Sequence, residues 1–230
     1  MRANAKVLDI YPLSPSQRGM LFHTLYAPES GVYVVQYRCL FEGPLHGPSL
    51  EQAWNQVVRR HDILRTGFVW EEIDKPVQVV YEEQPVTLET LDWTGRSPEE
   101  QQEALRNYLN EGRCKGFDLG TPPLIRFTLI RLDEERHQFV WSFHHILLDG
   151  WSIAIVMGDM FAYYDAVVKG QNLRLPALRP YRDYIAWNQK QDLQEAEGFW
   201  RGMLQGIEAP TPLPVSRVST EIGYEEIGLA

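Results

Sequence analysis

Phe143-His144-His145-Ile146-Leu147-Leu148-Asp149-Gly150-Trp151-Ser152 organises the reading of this chain. A β-rich run enters it. Leu124–Leu132 and Gln138–Phe143 alternate apolar residues and favour β-branched and aromatic types, with Asp133-Glu134-Glu135-Arg136 as the hairpin turn between them. A helix leaves it, Trp151–Lys169, with an apolar face and Gly170 as its stop. Neighbouring side chains at a strand end point to opposite faces, so His144 and His145 have different jobs. One faces a cavity and the other faces packing. Asp149-Gly150 makes a tight turn where glycine lets the backbone approach a ligand. The Gly150 N–H, just before a helix, suits a developing negative charge. Three plainer readings stay open at this point. The histidines could be two satisfied, partly buried imidazoles. His145 and Asp149 could share a metal, a poor site without a third His or Cys nearby. Asp149 could cap the helix that follows.

Working outward, Ser14 and Pro15 predict an N-cap and first helical position for a helix over Pro15–Tyr26. Its Met20, Leu21, Phe22 and Leu25 pack on one side. Residues before it form a lead-in that proline keeps out of helix. Val32–Phe41 reads as a strand. Ser49 then caps a helix whose Leu50, Ala53, Trp54, Val57 and Val58 share a buried face. Arg59 and Arg60 close that helix as cations at its C-terminus. Thr66–Glu71 pairs with Pro76–Glu82, Val86–Trp93 is a further strand, and Ser97 starts a helix to about Gly112. Tyr181–Leu204 is the last helix, with Tyr184, Trp187 and Phe199 as core residues. The pattern predicts about five helices among six strands, a mixed α/β layered domain.

Composition removes several function classes. The 230 residues carry 31 acidic and 22 basic side chains, a net charge of −9, with no electrostatic footprint for nucleic acid or an anionic membrane surface. With 44% hydrophobic and 23% charged residues, global disorder is excluded. The two cysteines, Cys39 and Cys114, form no CxxC pair, which argues against a disulfide framework or structural zinc and for a reducing cytoplasm. No apolar leader opens the chain, and no run approaches the roughly 18–20 apolar residues of a membrane span.

Four segments, in order, resemble the motifs of the condensation domains of nonribosomal peptide synthetases, of the chloramphenicol-acetyltransferase-like superfamily. Leu13-Ser14-Pro15-Ser16-Gln17-Arg18-Gly19-Met20-Leu21-Phe22 looks like the first motif. Arg60-His61-Asp62-Ile63-Leu64-Arg65-Thr66-Gly67-Phe68 is similar to the second, with Asp62 where the family has Glu. His144-His145-Ile146-Leu147-Leu148-Asp149-Gly150 matches the third, HHxxxDG, at every fixed position. Tyr181-Arg182-Asp183-Tyr184-Ile185-Ala186-Trp187 looks like the fourth, with Tyr184 where the family often has Phe. Any single motif is weakly specific; their order across residues 13–187 is what carries the resemblance.

The resemblance implies a chloramphenicol-acetyltransferase-like lobe over residues 1–206, a mixed sheet with helices packed on it. Residues 207–230 would then be a linker or crossing segment toward a second, similar lobe. It implies that His145 is the catalytic histidine, lining a channel between the lobes, and that Gly150 brings backbone close to the reacting carbonyl. His144, turned into the protein, Asp149 and Trp151 support the site. Asp149 is expected to pair with Arg60 or Arg65, since a buried carboxylate at a turn needs a partner and Arg supplies a bidentate one. Trp151 after Gly150 favours condensation over the related epimerisation domains.

The implied chemistry is amide formation. The amine of an acceptor aminoacyl thioester attacks the carbonyl of a donor acyl or peptidyl thioester, with His145 as base or positioning group. The domain itself needs no metal and no bound cofactor. Phosphopantetheine arrives on partner carrier proteins. Expected partners are donor and acceptor peptidyl carrier domains, the second lobe, and an adenylation domain of the same assembly line. Two alternatives stand beside this. One is an ester-forming or CoA-dependent acyltransferase using the same His145, although no basic run for nucleotide phosphates is present. The other is a non-catalytic carrier-docking half-domain, against which the intact His145 and Asp149 argue. The stretches around Gln17–His23 and Phe143–Trp151 look more like domains that follow an epimerisation step and take a D-configured donor.

Overall fold

A computed structural model describes residues 6–209. They form two compact units, one running to Gln189 and one starting at Lys190. In chain order the first holds β1 (Val7–Pro12), α1 (Pro15–Tyr26), β2 (Val34–Glu42), α2 (Gly47–Arg60), β3 (Thr66–Val69) and β4 (Val77–Tyr81). It continues with β5 (Leu88–Asp92), α3 (Pro98–Lys115), β6 (Ile125–Arg131), β7 (Arg136–His144), α4 (Gly150–Val168) and α5 (Tyr181–Asn188). The second unit carries α6 (Leu193–Met203).

The strands form two sheets. The four-stranded sheet has order β2-β7-β6-β5 and is mixed, because β5 runs parallel to β6 while the other pairs are antiparallel. Alternation along its central strands sets its two faces. Phe127 stands opposite Trp141, and Leu129 opposite Phe139, on one face. Trp54 of α2 lies on that face, 4.2 Å from the Phe127 ring and 5.0 Å from Trp141 between centroids. Val156, Met157 and Met160 of α4 complete this core. On the reverse face Ile130 and Val140 pack with Trp93 and with Leu105, Tyr108 and Leu109 of α3. The sheet is therefore covered on both sides, and β7 at its centre delivers the His144-His145 pair.

A second sheet, antiparallel in order β1-β4-β3, joins the start of the chain to the segment after α2. Its strand β1 lies where proline had predicted an unstructured lead-in. Pro12 is compatible with a strand here because it closes an edge strand, where a missing N–H costs no ladder bond. Tyr11 and Val80 of this sheet bury Ile185 of α5.

Local signals decide most boundaries. Ser14 and Ser97 each form a capping box, with Gln17 and Glu100 respectively, and proline occupies the first helical position in both. Gly170 (φ +64°) ends the segment after α4 in the left-handed region. Other expectations are corrected. His46, not Ser49, caps α2: its Nδ1 accepts the Ser49 backbone N–H at 3.3 Å, and Gly47-Pro48 already belong to the first turn. The single helix expected over Tyr181–Leu204 is two, because Asp192 turns back to accept the N–H groups of Gln194 and Glu195 and starts α6 afresh. Tyr184, Trp187 and Phe199 are exposed, and Ile185 is the residue of α5 that is buried. On α1 only Leu21 of the expected apolar side is fully buried, while Phe22 and Leu25 are open to solvent.

The helix α4 also revises the reading of hydropathy. Its 19 residues average 1.2 in mean hydropathy, enough by length and composition alone to cross a membrane. It sits instead as a layer helix against α2, with Asp159 paired to the cations that end that helix. Most of the expected segment 207–230 lies outside the described residues.

Candidate active site at the end of β7

His144 is the last paired residue of β7, opposite Val34 of β2, and the chain turns immediately afterwards. Its side chain is buried, 1% exposed. Both ring nitrogens are satisfied. Nδ1 accepts the Ile146 N–H at 3.2 Å, and Nε2 lies 3.1 Å from the Thr24 hydroxyl of α1. That hydroxyl donates to the Met20 carbonyl at 2.8 Å, so it can only accept from His144. The partners therefore select a neutral ring with its proton on Nε2. Burial, reinforced by the neighbouring His145, pushes the pKa down to about 4.

His145 is half-buried, in the turn after the strand. Its backbone N–H donates to the Tyr33 carbonyl at 2.7 Å. The Tyr33 ring meets its imidazole edge-on, with centroids 6.5 Å apart. Its Nδ1 is buried and has no hydrogen-bond partner. So the inward ring of the pair is His144, and the ring left with partial access to solvent is His145. A cavity of about 390 Å³ opens beside the same loop, bordered by Leu147, Leu148, Ile155, Arg60, His61 and Tyr181. His145 is not among its lining residues.

Asp149 is extended (φ −106°, ψ 179°) and caps α4. Its Oδ1 accepts the Ser152 N–H at 2.9 Å and the Ser152 hydroxyl at 2.6 Å. These bonds hold its carboxyl below the ordinary range, with the charge on His145 a smaller influence. The expected ion pair from Asp149 to Arg60 or Arg65 is not formed. Arg60 pairs through Nε with Asp159 at 2.8 Å, and His61 Nε2 donates to the same carboxylate oxygen at 2.8 Å. Asp159 lies ten residues beyond Asp149, about 15 Å further along the helix axis. The packing of α2 on α4 brings the arginine to that level, and a capping carboxylate turned onto its own helix is out of reach. His61 is pushed below its usual pKa by burial, opposed by Asp159.

Arg65 has a different role. It is buried, and its guanidinium donates to the carbonyls of Val58, Arg59, Tyr81 and Glu82 and to the Asp62 carboxylate. It thereby ties the end of α2 to β4. Gly150 is exposed, and a Cβ there would meet nothing within 4 Å, so no close approach within this chain demands glycine. Trp151 is 86% exposed, and Ile155, one turn on, is also open. Sequence reading missed Asp159 and Tyr33. A lone carboxylate in an otherwise apolar helix face was the available signal for the first. The second carried no motif at all. Among the described residues no three His, Cys, Asp or Glu side chains come together as metal ligands.

A doubly covered mixed sheet that presents one half-open histidine from a central strand, behind a buried neutral one, defines a histidine-presenting α/β domain built at a strand-to-helix junction. The Condensation domain family model matches residues 7–225, and the chain belongs to that family. It is 44% identical over 214 residues to a linear gramicidin synthase of Brevibacillus parabrevis, covering 93% of this chain and 3% of that protein. It is 39% identical over 209 residues to bacitracin synthase 1 of Bacillus licheniformis, covering 91% of this chain and 4% of that protein. Among solved structures it resembles the first condensation domain of the calcium-dependent antibiotic synthetase in complex with a substrate analogue. That likeness has a TM-score of 0.76 at 20% identity, over 93% of this chain and 52% of the solved one. The chain thus spans a small part of these synthetases and about half of a solved condensation domain.

Proposed function

We propose that this chain forms the His-bearing lobe of a condensation domain that joins a donor acyl or peptidyl thioester to the amine of an acceptor aminoacyl thioester. One observation carries the reading: in a chain of this family, the HHxxxDG loop holds His144 buried and neutral and leaves His145 partly open. A thioester is already activated, so the work left is to align two arms, keep the amine unprotonated and receive the developing oxyanion. His145 orients or deprotonates the amine, and the Gly150 N–H at the start of α4 lies on the same loop for the oxyanion. His144 supports it from beneath. Asp149 fixes the helix start, and Arg60 and Arg65 hold α2 against α4 and β4.

Both substrates arrive on phosphopantetheine arms of carrier domains in the cytoplasm, and the domain holds no cofactor of its own. The residues through 206 are one lobe, and those from 207 lead toward the second. Support for this comes from the half-length match to solved condensation domains and from the open Trp151 and Ile155 on α4. An adenylation domain of the same assembly line would load the acceptor.

The test is single-turnover transfer by the complete domain containing this lobe, with aminoacyl thioesters on carrier proteins and mass spectrometry of the acceptor. Amide product is expected, with His145→Ala slower by roughly 10²-fold. Undiminished transfer by a well-folded His145→Ala protein removes the role of His145. Transfer from free CoA thioesters without amide formation between carriers moves the assignment to a CoA-dependent acyltransferase.

A further inference from the structure

The imidazole of a working histidine is usually set by an acceptor on its second nitrogen, a carboxylate or a carbonyl. His145 has none: its Nδ1 is buried and unpartnered. What the structure places against it is Tyr33. The backbone carbonyl of Tyr33 takes the His145 N–H at 2.7 Å, and the Tyr33 ring stands perpendicular to the imidazole, 89° between planes. The same ring lies 6.1 Å from His144 and 6.3 Å from His23 between centroids.

Tyr33 holds this place at a conformational cost. Its φ is +64°, the left-handed region that bulky L-residues avoid. The turn before it is held at both ends. Gly31 also has φ +64°, and a Cβ there would meet Arg113 Cγ at 2.5 Å and the Arg113 carbonyl at 2.9 Å. The Val34 N–H closes the turn onto the Gly31 carbonyl at 3.1 Å. Glycine or asparagine would adopt this backbone more readily. A tyrosine held there against its preference marks a position where the ring itself is used.

Resting on the reading of His145 given above, we infer that Tyr33 is a positioning residue for it: the carbonyl anchors the His145 backbone and the ring fixes the imidazole. The role calls on no hydrogen bond from the phenol, so the ring face and edge carry the effect.

The experiment compares Tyr33→Phe, Tyr33→Asn and His145→Ala in the complete domain, with turnover and KM for both carrier-bound thioesters and thermal midpoints. Tyr33→Phe is expected to keep the wild-type turnover. Tyr33→Asn suits the left-handed backbone and lacks the ring; it should fold and lose turnover by roughly 10- to 100-fold with KM unchanged, as loss of alignment predicts. A folded Tyr33→Asn protein within about two-fold of wild type, while His145→Ala stays slow, overturns the role of Tyr33 and leaves that of His145 standing. Equal losses in Tyr33→Phe and Tyr33→Asn also overturn it, since the hydroxyl would then be the active part. An unimpaired His145→Ala removes both readings. Should Tyr33→Asn not fold, the wild-type protein decides by NMR. A nuclear Overhauser contact between the Tyr33 and His145 ring protons is expected, and its absence overturns the proposal.

Discussion

Acid should unfold this lobe through His144. In the folded state its Nδ1 is occupied by the Ile146 N–H and its Nε2 proton is spent on Thr24, so a second proton has no acceptor. The folded pKa is about 4, against roughly 6.5 for a free histidine. The unfolded chain therefore takes up a proton as pH falls through 6.5 while the folded chain refuses it. Stability then falls with falling pH across the window from 6.5 to about 4 and stops changing through this residue below that. At pH 5 the unfolded histidine has gained about 1.5 pH units of protonation advantage. At about 1.36 kcal/mol per unit this is roughly 2 kcal/mol lost relative to pH 7. Other groups titrate too, so the measurement is a difference. Urea unfolding at pH 7, 6 and 5 is compared between wild type and His144→Gln, which keeps a donor and an acceptor but does not titrate. The Gln variant is expected to start less stable and to lose about 2 kcal/mol less on acidification. Parallel slopes for the two proteins would refute the neutral buried assignment. An imidazole resonance of His144 titrating near 6.5 in the folded protein would do the same.

Four further outcomes follow from the contacts. Asp159→Ala strips the partner from Arg60 and His61 and should cost about 3 kcal/mol, whereas Asp149→Ala loses only a helix cap and should cost about 1 kcal/mol, the reverse ranking of an Asp149 ion pair; urea midpoints decide. Asp149→Asn, a good cap, should match wild type by the same measurement. Arg65→Met leaves the Val58, Arg59, Tyr81 and Glu82 carbonyls without their donor and should lower stability by about 3 kcal/mol or abolish soluble expression, with a wild-type midpoint as the contrary result. Gly31→Ala puts a Cβ into Arg113 at a left-handed backbone position and should cost roughly 1–3 kcal/mol by thermal unfolding; an unchanged midpoint would show that the turn relaxes freely.

Much of the site was legible before any coordinates. Alternation along β7 and a glycine-bounded helix after it predicted a strand-to-helix junction at His144-His145, because both periodicities are local and each is written in consecutive residues. The capping boxes at Ser14 and Ser97 were legible for the same reason: donor and acceptor sit three residues apart. Period alone also said that the two imidazoles face opposite ways. It could not say which partner each would meet, because Thr24 lies 120 residues before His144 and arrives with α1. The ion pair failed on similar grounds. An arginine at the end of α2 has two candidate carboxylates on α4, Asp149 and Asp159, and composition treats them alike. The packing of one helix on the other set the height at which the arginine meets α4, and it meets Asp159, 99 residues away in sequence. Tyr33 is the extreme case, since neither its left-handed backbone nor its place against His145 leaves a mark in residue order. Sequence by itself determined the elements, their caps and the alternation that separates the two histidines, all of which depend on neighbours within about four residues. Tertiary structure decided which charges pair and what holds His145 in place, because those contacts exist only once sheets and helices have packed.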